Sequence, residues 1–198
     1  MSASHPSQPD DPSSRLAFAR LVSLACHDLR SPLATVYGFA RTLTRDAELD
    51  ERSERFIGMI EKASEQMTEL LDALAVAARI EGERWEPALR EVDTLELVAA
   101  DDERIEVEGA GAPVETEPRD AARAFRALAV AALRHGNVER VVWTVDGRTL
   151  VLRPIEEPAV PILTGEDPRD LGALVARIVL EELGGTLSLE AGSLRVTV

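Results

Sequence analysis

His27 and Asp28 are the adjacent pair in this chain best suited to chemistry. A neutral, partly exposed imidazole is a good nucleophile toward phosphorus. A neighbouring carboxylate can hold the ring tautomer and accept its proton. Ser31 falls one helical turn beyond His27, on the same face. Pro32 follows and removes one ladder bond, which gives this turn room to bend. The other candidates carry less chemistry. Cys26 reads as a small seam residue. His135 sits where it would complement a helix C-terminus. His5 lies in a polar N-terminal stretch, and Trp85 and Trp143 read as anchors for a linker and a sheet. Three histidines and one cysteine, far apart, give no metal-ligand spacing, so no metal site is expected. Neither a phosphate-loop lysine motif nor an HExxH is present.

The elements that must hold His27 can be read from hydrophobic spacing. Ala19, Val22, Cys26, Leu29, Leu33, Val36, Ala40 and Leu43 alternate steps of three and four, an a/d heptad stripe. This predicts one long helix over about Arg15–Arg45, kinked at Pro32. The polar run Asp46–Asp50 breaks the pattern. It resumes at Phe56, Ile60, Ala63, Met67, Leu70, Leu74 and Ala77, with Ile57, Leu71 and Ala78 widening the apolar face. Two such helices make an antiparallel hairpin. Its broad face suits a bundle, so a homodimeric four-helix bundle is expected.

Beyond a linker at Glu81–Pro87 the pattern changes. Arg104–Glu108 and Val114–Glu117 read as short strands. Pro118 opens a helix that ends near Gly136. Val138–Val145 and Thr149–Arg153 form a hairpin around Asp146-Gly147. Pro154–Pro161 reads as a loop. A helix then starts at Pro168 and stops at Gly184-Gly185, and Thr186–Leu189 pairs with Leu194–Val198. The predicted organisation is a tail over 1–14, a helical hairpin over 15–82 and an α+β domain over 83–198, with about two helices on one face of a mixed or antiparallel sheet.

Composition narrows the partners. The 198 residues carry 22 Lys+Arg against 36 Asp+Glu, a net charge of −14. Lys62 is the sole lysine. That balance argues against nucleic acid and against an anionic membrane surface. An apolar content of 45 % supplies a core. One cysteine permits no internal disulfide, in keeping with a cytoplasmic location. No uncharged run approaches the ~20 residues of a membrane span.

The string His27-Asp28-Leu29-Arg30-Ser31-Pro32-Leu33 resembles the H-box of sensor histidine kinases, and the hairpin around it, closing on Ala78-Arg79-Ile80-Glu81-Gly82, resembles their dimerisation domain. The resemblance implies that His27 accepts phosphoryl and that Asp28 is its acid/base partner. Ser31 stands where the family usually has Thr or Asn to orient water for dephosphorylation. The second half is similar to the family's ATP-binding domain, a small α/β sandwich, with its nucleotide boxes lost. Alanines fill Arg126–Gly136 where Mg²⁺-binding asparagines are expected. Arg153–Pro158 lacks the adenine-reading Asp-x-Gly-x-Gly. Glu166, Asp167 and Asp170 stand where phosphates should go. Arg119, Arg123, Arg126 and Arg134 could still help hold phosphate but read first as a solvated helix face, so no cofactor contact is convincing and Arg134 is only a weak candidate.

The implied function is two-component signalling by histidine phosphotransfer between His27 and a response-regulator aspartate. This organisation is similar to that of stand-alone histidine phosphotransferases. The chain would need no cofactor of its own, the receiver would bring Mg²⁺, and an upstream kinase is a further possible partner. Two alternatives stand beside this reading. One is a divergent active kinase that phosphorylates its own His27. The other is a non-catalytic pseudokinase that binds a kinase or receiver.

Overall fold

A computed structural model describes residues 12–46 and 49–198. The expected tail thus falls outside the described residues up to Asp11, as does the loop centre at Ala47-Glu48. The chain forms two compact units that divide between Trp85 and Glu86.

The first unit is a helical hairpin of α1 (Pro12–Asp46) and α2 (Glu51–Glu81). The α1 helix runs unbroken through Pro32. Asp50 caps α2, its carboxylate accepting the Ser53 N–H at 2.7 Å. That bond comes first among the causes holding the Asp50 carboxyl below its ordinary range. Glu51 and Glu54 add favourable charge to the first turn.

The predicted α1 stripe divides in two. Ala19, Cys26, Leu33 and Ala40, seven residues apart, are buried within the hairpin. Leu29, Val36 and Leu43, the alternate heptad set, are 53 %, 46 % and 49 % exposed. On α2 the inward stripe is Ile57, Ser64, Leu71 and Ala78. The residues first read as the seam, Phe56, Ile60, Met67 and Leu70, face outward instead. The physical reason is that inner residues are mostly small, which lets the two helices approach closely. Ser64 is tolerated there because its hydroxyl donates to the Ile60 carbonyl at 2.8 Å.

The second unit is α+β. Its strands are β1 (Arg90–Asp93), β2 (Ile105–Gly111), β3 (Pro113–Thr116), β4 (Val141–Gly147), β5 (Thr149–Arg153), β6 (Thr186–Glu190) and β7 (Ser193–Thr197). Five form one mixed sheet in the order β2-β4-β5-β7-β6, and β1 pairs with β3 in a separate ribbon. The β2–β4 pair is parallel and the other pairs are antiparallel. Its helices are α3 (Thr94–Val98), α4 (Pro118–Gly136), α5 (Val160–Thr164) and α6 (Leu171–Glu182).

Alternation sets the sheet's two faces. Val141, Trp143, Val145, Leu150, Leu152, Leu194 and Val196 are buried on the inner face. Trp143 meets Phe125 of α4 edge to face, with ring centroids 5.3 Å apart. The opposite face carries ion pairs across strands: Glu108 accepts from Thr144 and Arg153, and Glu106 pairs with Arg140.

Three details depart from expectation. The β1 strand and α3 lie in a stretch where no element was predicted. The expected loop 154–161 instead holds a short 3-10 turn, Glu157–Ala159, and the start of α5, each with proline in its first turn. The last long helix begins at Leu171, not Pro168, because the Asp170 side chain caps it. Among the described residues, no helix is long and apolar enough to cross a membrane.

Candidate functional site

His27 and Asp28 sit on α1 with side chains 77 % and 69 % exposed. His27 Nδ1 lies 3.1 Å from Asp28 Oδ1. An ionised carboxylate can only accept, so in this contact Nδ1 carries the proton. The lone pair of the neutral ring is then on Nε2. Sequence reasoning placed these two side chains together, and the structure does the same.

Ser31 is exposed one turn further along, and its carbonyl accepts the Thr35 hydroxyl at 3.1 Å. Cys26 lies on the inward side of the same turn and is 1 % exposed. Burial pushes its thiol up from the ordinary value, while Arg30 pulls it the other way. It is a packing residue held as the thiol.

Arg30 is the contribution that sequence reasoning left unassigned. Its Nη2 and Nε donate to Asp72 Oδ1 of α2 at 2.9 and 3.3 Å. The two residues are far apart in sequence, and nothing in the spacing marks them as partners. The pair crosses the hairpin three residues along α1 from His27.

A second polar cluster lies in the α+β unit. Asp170, 7 % exposed, caps α6 by accepting the Ala173 N–H on Oδ1 at 3.0 Å. Its Oδ2 meets Arg134 Nη1 at 3.0 Å and His135 Nε2 at 2.9 Å. Burial pushes this carboxyl up, but the Ala173 N–H, His135 and Arg134 outweigh it and hold the group below its ordinary range. Sequence reasoning left Arg134 as a weak cofactor contact on a solvated helix face and gave His135 to the dipole of α4. The structure engages both with Asp170.

This geometry predicts the stability of the cluster. Asp170→Ala removes a helix cap and two ion-pair contacts, and should cost about 2 kcal/mol. That corresponds to roughly 8 °C in the melting of the α+β unit. Asp170→Asn keeps a cap but no charge. Because the folded-state value is depressed, the charge contributes fully above the unfolded carboxyl value of about 4. Its contribution is lost as pH falls through the lower folded value. Thermal melts of wild type and Asp170→Asn should therefore differ fully from pH 6 down to about 4, and converge only as pH falls on through the lower folded value. A difference that stays constant below that value would contradict the assignment.

Among the described residues, no group of three or more His, Cys, Asp and Glu side chains could hold a metal ion.

Residues 19–83 match the His Kinase A (phospho-acceptor) domain model. Solved structures of similar fold include full-length ShkA in complex with AMPPNP. That match has 18 % identity and a TM-score of 0.61 over 90 % of this chain. The Acinetobacter baumannii histidine kinase AdeS matches at 17 % identity and a TM-score of 0.51, over 86 % of this chain and 95 % of that one. At such identities the likeness is one of fold. This chain spans 44 % of the length of ShkA. No curated protein matches it in sequence.

Proposed function

Residues 19–83 belong to the histidine-kinase phospho-acceptor family, and from that premise we propose that this chain is a homodimeric histidine phosphotransfer protein of two-component signalling. His27 exchanges phosphoryl with the aspartate of a response-regulator receiver, without ATP-driven kinase activity.

The observation that carries this reading is the His27 Nδ1–Asp28 contact at 3.1 Å on an exposed helix face. The Nε2 lone pair attacks the phosphorus of a receiver's aspartyl phosphate. The N–P bond forms as the acyl O–P bond breaks, and the electron pair leaves on the receiver carboxylate. The ring proton stays on Nδ1, shared with Asp28, whose charge offsets the positive charge gained by the ring. The receiver supplies the Mg²⁺. Ser31, with a hydroxyl one turn along from His27, would orient water for a separate reaction, hydrolysis of the receiver's aspartyl phosphate to carboxylate and inorganic phosphate.

The residues of the α+β unit do not fit a nucleotide with its Mg²⁺. Magnesium wants oxygen ligands, and α4 offers buried Ala129, Ala131 and Ala132. A helix N-terminus is a natural phosphate site, but that of α6 already holds the Asp170 carboxylate, which also engages Arg134. The Glu157–Thr164 segment packs on α4 as well. ATP-dependent autophosphorylation is the competing reading, and the AMPPNP complex of ShkA is what favours it.

One experiment separates the two. Incubated with labelled ATP and Mg²⁺, the protein should take up no label. Incubated with a phosphorylated receiver, it should acquire an acid-labile label. Label from ATP would establish the kinase. Label from neither source would leave the chain as a non-catalytic partner.

A further inference from the structure

The turn that carries His27 has a weak point. Pro32 has no N–H, so the Asp28 carbonyl lacks the donor that an unbroken α-helix would supply. The inner packing on the N-terminal side of Pro32 is thin, because Cys26 of α1 and Ala75 and Ala78 of α2 are small, and the large buried side chain of this stretch, Leu33, lies beyond the proline. Within this same turn, Arg30 reaches across the hairpin and sets two N–H groups on one carboxylate oxygen of Asp72. The pair is partly shielded, with side chains 41 % and 23 % exposed.

We propose that Arg30 and Asp72 are positioning residues for His27. The pair braces the proline-weakened turn against α2 and so fixes the rotation of α1 at which His27 and Asp28 meet a docked receiver. This inference rests on the phosphotransfer reading. Arg30 acts through the helix and not on the phosphoryl group. Its removal should therefore lower the rate of transfer within the docked complex more than it weakens docking. Misplacing a reacting group by about 1 Å costs on the order of a hundredfold. A loosened turn should cost about tenfold or more.

The test compares wild type, Arg30→Ala, Asp72→Ala, Asp72→Asn and the swapped pair Arg30→Asp with Asp72→Arg. Circular dichroism first confirms that each hairpin is helical. Single-turnover transfer from a phosphorylated receiver should then show a maximal rate reduced about tenfold in each single variant. The half-saturating receiver concentration should stay within about twofold, and the swapped pair should recover most of the rate. Amide hydrogen exchange over residues 28–31, which needs no receiver, should quicken in the single variants and return in the swap. Wild-type rates in the single variants would overturn the inference, as would exchange that does not respond. A wild-type protein that takes phosphoryl from no receiver would sink the phosphotransfer reading instead, and the exchange measurement would still decide the brace.

Discussion

His27→Ala should leave a folded helical hairpin that acquires no phosphoryl label from any receiver. The side chain is 77 % exposed, so its removal forfeits little packing. Alanine also favours the helix. What disappears is the nucleophile, and no other described side chain can replace it. Cys26 is buried and held as a thiol, and His135 is tied to Asp170. Label should fall to background, a loss of at least about a thousandfold. Asp28→Ala is the graded companion. It keeps the nucleophile but frees the ring to adopt either tautomer. General acid–base partners contribute about 10² to 10⁴ in rate. Because Asp28 is exposed to water, the lower end applies, a slowing of about a hundredfold. Single-turnover transfer read on labelled gels checks both, and label persisting in His27→Ala would move the site elsewhere.

The second large effect concerns the outward stripe. Leu29, Val36 and Leu43 of α1 share exposure with Phe56, Ile60, Met67 and Leu70 of α2. So many exposed large apolar side chains on one hairpin suit the interface of the proposed homodimer, and burying each is worth about 1.5–3 kcal/mol. If this stripe is the interface of the proposed homodimer, Val36→Asp should yield monomer, raising the dissociation constant at least about a hundredfold. Leu33→Asp gives the contrasting result. Leu33 faces the other helix of its own chain, so a carboxylate there should unfold the hairpin and not merely separate two copies. Sedimentation and circular dichroism together distinguish the outcomes. A Val36→Asp protein that still sediments as a dimer would refute the assignment of this face.

These two predictions mark where the sequence was legible and where it was not. The heptad stripe announced helices and their apolar side. It held no sign of which half of the stripe packed within the hairpin and which stayed exposed, because Leu29 and Leu33 are the same residue type. Ser64 on the inner face reads as a break in the pattern until its hydroxyl is seen to bond one turn back. Short-range signals did better: Asp146-Gly147 turns β4 into β5, and Pro118 opens α4. The α4 terminus shows the limit of such rules. The left-handed residue that ends it is Asn137, just after the expected Gly136. At the site, His27 and Asp28 were legible because they are neighbours. Asp72 and Asp170 were not, since each meets its partners across a long sequence gap that only packing closes.

The parallel β2–β4 pair bears on how the chain is made. Ile105 aligns with Val141, so β2 leaves the ribosome with its partner strand 36 residues behind. At roughly 5–20 residues per second, β2 waits for seconds with both its edges open, where the finished sheet leaves it one. Antiparallel neighbours such as β4 and β5 are spared that delay by a tight turn. A waiting strand invites pairing with another nascent chain, and charge on the strand discourages it. Glu106 and Glu108 lie on β2, and in the finished sheet they meet Arg140 and Arg153. Before those arginines are synthesised, the same two glutamates give β2 a negative face that repels its own copies on neighbouring ribosomes.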